Sequence, residues 1–479
     1  MRFLASGAGV RFLGLFGSLC CAADAVLFGA PTWIRRDVSV VSILLGPNGV
    51  LIMVLWVAGL AALCAAWWYG RRLELSHRWI LGTAALWIAP MLFVPPLGSR
   101  DVYAYACQGA LFDAGFNPSV VGISAQPCPW LDSVSAVWRD TPTPYGPLWI
   151  VLTGVAAAFG SQAVAVAVLR GYAVLAIIAL AAALPSLARR RDMPVERTLW
   201  LVLCCPLVPV HIVGGAHNDA LTMALLVAGL AVVAGPARIP PVGMLAVGGA
   251  LIGAAIAVKT TVGVVLPFAA LLAAGGLGLD RAGWARLTRR GGAVLGGALA
   301  ALVALSVGSS LGLGWATALS GAGESRSWTS PPTAVGIAVN AVAKWFGVPL
   351  DVVPATRAIA LVLLLVALVV IWFHTRRADS LWGAGLACLA VIFLAPINQP
   401  WYLFWPLTLL AVTAARTRWL AVTIVASMFL ILPNGDGAWK PLQIPLAFLG
   451  CGLVGWVAWR SVRWLRRPAP VEVPTCPTS

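Results

Sequence analysis

Apolar runs of roughly twenty residues recur along almost the whole chain, separated by short polar or Pro/Gly-rich breaks. A helix needs about 20 apolar residues to cross the hydrocarbon core of a bilayer. Spanning helices are therefore expected near 8–29, 47–69, 79–97, 163–187, 198–213, 219–235, 241–257, 261–275, 292–312, 355–374, 380–396, 401–414, 417–433 and 441–460. The pattern predicts an all-α, polytopic transmembrane helical bundle of about 13–14 helices, with no separate soluble domain. Two further apolar stretches, 147–160 and 332–347, are read as interfacial or re-entrant helices on the outer face. Gly249 and Gly253, four apart in one run, form a small-residue pattern for close helix packing.

Composition agrees. Of 479 residues, 61% are hydrophobic and 10% charged, against about half and a quarter in an average soluble domain. The net charge of +16 would suit a nucleic-acid partner, but the basic residues fall as short clusters between apolar runs. That is the positive-inside pattern, in which Lys and Arg hold loops in the cytoplasm. With the N-terminus inside, 22 of the 32 basic residues lie in cytoplasmic loops and termini. Eight fall outside: Arg35, Arg36, Arg100, Arg139, Lys259, Arg326, Lys344 and Lys440. Arg170 and Arg357 lie within helices. This reading gives a multi-pass plasma-membrane protein with both termini cytoplasmic, a membrane domain over 1–467 and a cytoplasmic tail over 468–479. Residues 11–30 begin like a signal peptide, but no clean cleavage site follows, and a retained first helix is expected.

Most residues able to do chemistry then fall in outer loops. The largest, 98–146, opens with Asp101, Tyr105 and Gln108 at i, i+4 and i+7, one face of a helix. Asp101 beside Arg100 is a candidate base; its plainer role is to favour a helix start through the dipole. The loop closes on Pro142, Pro144 and Pro147, which stiffen the backbone around Asp140 and Tyr145. Cys107 and Cys128 both lie in it, either as a disulfide or as two separate thiols. A second loop carries His217, Asn218 and Asp219; the last two suit an N-cap, whereas His217 has no capping role. Lys259 interrupts two apolar helices, as a snorkelling residue or a functional one. Arg326 could grip a phosphate, and Gln399 and Trp401 form either a turn with an interfacial aromatic or a sugar contact. The four histidines share no metal-ligand spacing, and no metal or cofactor is expected.

A carboxylate to take a hydroxyl proton, cations to meet a departing phosphate and aromatics for sugar faces suit glycosyl transfer. Outside the cytoplasm the donor would be carried on a lipid. Ser99-Arg-Asp-Val-Tyr-Ala-Tyr105, the ten residues from Trp138 to Pro147, Gly214-Gly-Ala-His-Asn-Asp-Ala220 and Gln399-Pro-Trp-Tyr402 resemble the actinobacterial polyprenol-phosphate-mannose-dependent α-(1→6)-mannosyltransferases of the GT-C superfamily. The likeness runs in order along almost the whole chain. It implies a GT-C fold, a polyprenyl-phosphate-mannose donor, a mannan or phosphatidylinositol-mannoside-type acceptor, and inversion to an α-(1→6) product in lipomannan-type glycan synthesis. It also implies Asp101 as the base, with Asp140 as the runner-up.

On this reading Lys259 and Arg326 face the donor phosphate, and His217, Asp219 and Gln399 hold sugar hydroxyls. Arg100, Tyr105, Gln108, Asp140, Tyr145, Asn218 and Trp401 complete the substrate site. The alternatives are a transferase of another lipid-linked sugar, a transporter or flippase of such a lipid, and a lipid-binding protein. A transporter should hold ionisable groups near the bilayer midplane. Only Asp24, Arg170 and Arg357 fall inside spans, and Arg170 alone lies away from their ends.

Overall fold

A computed structural model of the chain describes residues 6–28, 39–235, 240–318, 326, 328–414, 417–435, 442–449, 451–452 and 456. Among these residues the regular elements are helices and none is a β-strand. Five helices are long and apolar enough to cross a membrane: α1 (Gly7–Phe28), α2 (Gly49–Gly70), α3 (Gln162–Arg190), α4 (Arg281–Gly308) and α5 (Val353–Thr375). The outward side chains of α5 include Ile359, Val362, Leu365 and Val369. An exposed apolar row of this length suits a lipid environment. The chain is an all-α, polytopic membrane protein.

Fewer of the described helices are long enough to cross unbroken than the apolar runs predict. The run at 198–213 folds as Val195–Leu203 and Val208–Gly214, bent by 60° and counted at most as a sixth span. Pro206 lies in the break and Pro209 just after it; proline removes an amide donor and clashes with the preceding turn. The run at 261–275 begins as a 3-10 turn, Thr260–Val265, before the helix Leu266–Ala274. That at 401–414 likewise opens on the 3-10 turn Pro400–Leu403, and that at 79–97 ends its helix at Ile88. The stretches expected to be interfacial form the helices Pro147–Ala157 and Pro331–Trp345. The expected helix 441–460 lies partly, and the tail 468–479 wholly, outside the described residues.

The small-residue pair does pack as its spacing predicts. A Cβ on Gly249 or Gly253, in the helix Val242–Val258, would collide with the carbonyl oxygens of Val294 and Ala298 on α4. The long loop 98–146 is not a loose connector. Its helix Asp101–Asp113 is buried along most of its length. Val102, Tyr105, Ile123, Trp130 and Trp149 form a second apolar core there, which Ala216 and Val258 join from the bundle. Cys107 and Cys128 form a disulfide across it, with Cα atoms 5.5 Å apart.

Candidate active site

Asp101 sits where the chain leaves a tight turn. Gly98 has φ +75°, and a Cβ there would press on the His211 ring at 2.8 Å, so only glycine suits the position. The Gly98 amide donates to the Pro433 carbonyl at 2.6 Å, and the Asp101 amide donates to the Ser99 hydroxyl at 3.0 Å. The Asp101 carboxylate caps nothing. Its Oδ1 accepts from Trp138 Nε1 at 3.1 Å, and its Oδ2 lies 3.9 Å from His217 Nδ1. The side chain keeps 19% of its surface exposed, enough to meet a substrate. Burial raises its pKa to about 6, against the lowering effects of the Trp138 N–H and the Lys259 charge.

His217 arrives from the bent span through Ala216, which holds φ +51°. That conformation costs about 1–2 kcal/mol for a residue with a Cβ, and it turns the chain immediately before the imidazole. The ring stacks on Trp401 at 4.0 Å, and its Nδ1 lies 3.4 Å from Tyr105 Oη. Tyr145 in turn donates its hydroxyl to Tyr105 at 3.4 Å. Burial pushes the His217 pKa well below its ordinary value, with help from His211 and Lys259. His217 is therefore neutral near pH 7, and its contact with Asp101 is not an ion pair. Burial holds both tyrosine hydroxyls protonated.

Beside this group lies a buried charge pair. Lys259 Nζ donates to both Asp219 oxygens, at 2.8 and 3.0 Å, and to Asn218 Oδ1 at 3.4 Å. Trp405 Nε1 donates to Asp219 Oδ1 at 2.6 Å. The ammonium also lies 4.4 Å from the centre of the Tyr402 ring, a cation–π contact. Neither Asn218 nor Asp219 makes a side-chain cap, although their positions allow one. Lys259 does not snorkel: it is buried and paired.

Asp101, Tyr105, Tyr145, His217 and Trp401 thus form one cluster, and Asn218, Asp219 and Lys259 a second next to it. Arg100 is turned away, its guanidinium donating to the carbonyls of Ser133 and Asp132. Asp140 is exposed on the surface of the loop. Gln108 is buried beside the disulfide. Gln399 is half-buried at the start of the Pro400–Leu403 turn. Arg326 pairs with Asp351 at 2.7 Å on an exposed surface. Sequence reasoning did not assign Trp138, Tyr402 and Trp405 to the site. Each is one of 23 tryptophans or six tyrosines, and nothing local marks it as a partner of a distant carboxylate or lysine.

Fold and site together define a polytopic membrane protein whose polar centre sets a mostly buried carboxylate near a buried lysine among aromatic rings. Residues 11–275 match the family described as α-(1→6)-mannopyranosyltransferase, N-terminal domain, and residues 332–460 match the MptB C-terminal domain. The chain is 33% identical over 444 residues to α-(1→6)-mannopyranosyltransferase A of Mycobacterium tuberculosis, covering 87% of this chain and 82% of the relative. It is 30% identical over 520 residues to a probable α-(1→6)-mannopyranosyltransferase of Mycolicibacterium smegmatis, covering 98% and 90%. Against α-(1→6)-mannopyranosyltransferase B of Corynebacterium glutamicum it is 29% identical over 429 residues, covering 82% and 69%. The chain belongs to the α-(1→6)-mannopyranosyltransferase family. No solved structure matches it.

Proposed function

We propose that the chain is an α-(1→6)-mannosyltransferase of GT-C type that uses polyprenyl-phosphate mannose as donor and extends a mannan or glycolipid acceptor of the lipomannan kind. The activity in its coarse form follows the family. The observation that carries the mechanism is Asp101: a carboxylate at a helix start, mostly buried with an exposed edge, held by Trp138 and raised to about 6. A base with a pKa just below the working pH is largely ionised yet accepts a proton readily.

In the proposed step, Asp101 takes the proton from the 6-hydroxyl of the acceptor. That oxygen forms a bond to the anomeric carbon of mannose from the face opposite the phosphate. The bond from that carbon to the phosphate oxygen breaks, and the polyprenyl phosphate leaves with the electron pair. A β-linked donor thereby gives an α product. Lys259, fixed by Asp219, is the cation whose charge acts on Asp101, and in this reading it meets the growing phosphate charge. Lys259 is preferred to Arg326 in this reading because it is buried next to the Asp101 cluster, whereas Arg326 lies with Asp351 on an exposed surface. His217 and Trp401 pack on each other, so they support Asp101 and do not offer an open sugar platform. No cofactor besides the donor is invoked, and the whole described membrane body is taken as one domain.

The reading also places 98–146 and the site on the extracytoplasmic side and both termini inside, from the 22-to-8 split of basic residues. Membranes holding the Asp101→Asn variant should lose at least about a hundredfold in mannose transfer from radiolabelled polyprenyl-phosphate mannose, on the scale of general-base catalysis. Near-wild-type transfer by that variant would remove Asp101 from the mechanism.

A further inference from the structure

Arg170 is the charge that sits awkwardly inside a span, nine residues into α3 and 4% exposed. A buried guanidinium is costly unless its donors are met. Its Nη1 donates to the carbonyls of Val94 at 2.6 Å and Leu92 at 3.3 Å, and its Nη2 donates to the carbonyl of Gly214 at 2.9 Å. These acceptors are exposed by the way two helices end. Leu92 closes the 3-10 turn Ala89–Leu92, and Pro95 and Pro96, which have no amide hydrogen, follow. Gly214 closes the bent half-span Val208–Gly214. Helix ends leave carbonyls without partners, and a guanidinium fork can serve several at once with charge-assisted bonds.

The two segments lead to different halves of the site. Residues 92–97 run into Gly98 and Asp101, and Gly214 lies three residues before His217 and five before Asp219. The Leu97 amide also reaches the Gly214 carbonyl at 3.5 Å, so the strands of chain touch where Arg170 joins them. We infer that Arg170 is a positioning residue that sets Asp101 in register with His217 and Asp219 by gripping the backbone of both segments. The inference rests on the proposed role of Asp101 as base. It also accounts for this charge inside a span without a transport pathway, because both terminal nitrogens of the guanidinium are committed to backbone. A displacement of about 1 Å at a reacting group can cost a hundredfold in rate.

The test compares wild type with Arg170→Lys and Arg170→Met as full-length protein in detergent. A lysine offers a single point charge and cannot span both segments. Per mole of folded protein, kcat for transfer from polyprenyl-phosphate mannose should fall about 10- to 100-fold in both variants, with KM within about twofold. Hydrogen exchange should speed up at the amides of 97–103 and 214–219 and stay unchanged in 242–258. A lysine variant with wild-type kcat, a loss carried by KM alone, or exchange that rises equally in 242–258 overturns the inference. If wild type itself transfers nothing from this donor, the proposed function falls, and the exchange comparison alone then decides the role of Arg170.

Discussion

At the scale of single residues, the proposed chemistry rests on how Asp101 is held. Its pKa of about 6 reflects burial pulling it up and the Trp138 N–H pulling it down, because a hydrogen bond to the carboxylate favours the charged form. A base must be deprotonated to act, so transfer should be flat above pH 7 and fall about tenfold per unit well below pH 6. Trp138→Phe removes the donor and keeps an aromatic ring, though a smaller one. The Asp101 pKa should then rise, and the acid limb of kcat/KM should move up by roughly one unit. Activity relative to wild type should thus fall about threefold near pH 6.5 and recover near pH 8, which a pH–rate profile on membranes reads directly. Equal loss at both pH values would mean that Trp138 supports only the loop. The expectation that Asp101 belongs to a site came from its place beside Arg100 at a membrane exit. Its partner was not, since Trp138 lies 37 residues further on with a disulfide-closed loop between them. His217 was legible as a residue with no capping duty, but its stacking on Trp401 is a contact that spacing does not encode.

At the scale of elements, hydropathy located the helices well and their interruptions poorly. Apolarity reports that a segment avoids water, and it stays high through a 3-10 turn such as Thr260–Val265 or a bend such as that before Val208. Those interruptions matter, since they deliver Lys259 and His217 to the site. The Gly249/Gly253 pair was legible because close packing demands small residues at that spacing. Gly253→Leu should drive the helix Val242–Val258 off α4, destabilising the protein by about 1–3 kcal/mol, as overpacking does. Thermal unfolding of the detergent-purified chain should show a lower Tm, and an unchanged Tm would disprove the tight contact. The disulfide acts at the same scale. It ties the helix that begins with Asp101 to the loop that returns through Trp138. Cys128→Ser should therefore lower transfer several-fold while leaving the amount of protein in the membrane near normal, measured by activity per mole of inserted chain.

At the scale of the whole molecule, the site exists only because distant parts of the chain meet. Asp219 and Lys259 lie within the segment 11–275 that matches the N-terminal family domain, whereas Trp401, Tyr402 and Trp405 lie within 332–460. Trp405 reaches Asp219 across 186 positions, and Lys259 rests over Tyr402. The charge pair therefore fastens the two family-defined parts together, and in the proposed mechanism it also offers a cation to the donor. These two duties can be separated. Removing one member of a buried ion pair leaves the other uncompensated and typically costs 3–5 kcal/mol, whereas replacing both by apolar residues is often close to neutral. Lys259→Met alone should sharply reduce the yield of folded protein, and Asp219→Leu alone should do the same. The double variant should recover much of that yield, visible as a monodisperse peak in size-exclusion chromatography and a Tm near wild type. If Lys259 meets the phosphate that leaves, the recovered protein should still transfer mannose at least about a hundredfold more slowly, the scale on which a preorganised charge stabilises a transition state. A double variant that regains both fold and rate would reduce the pair to a fastening, and the phosphate would need another partner.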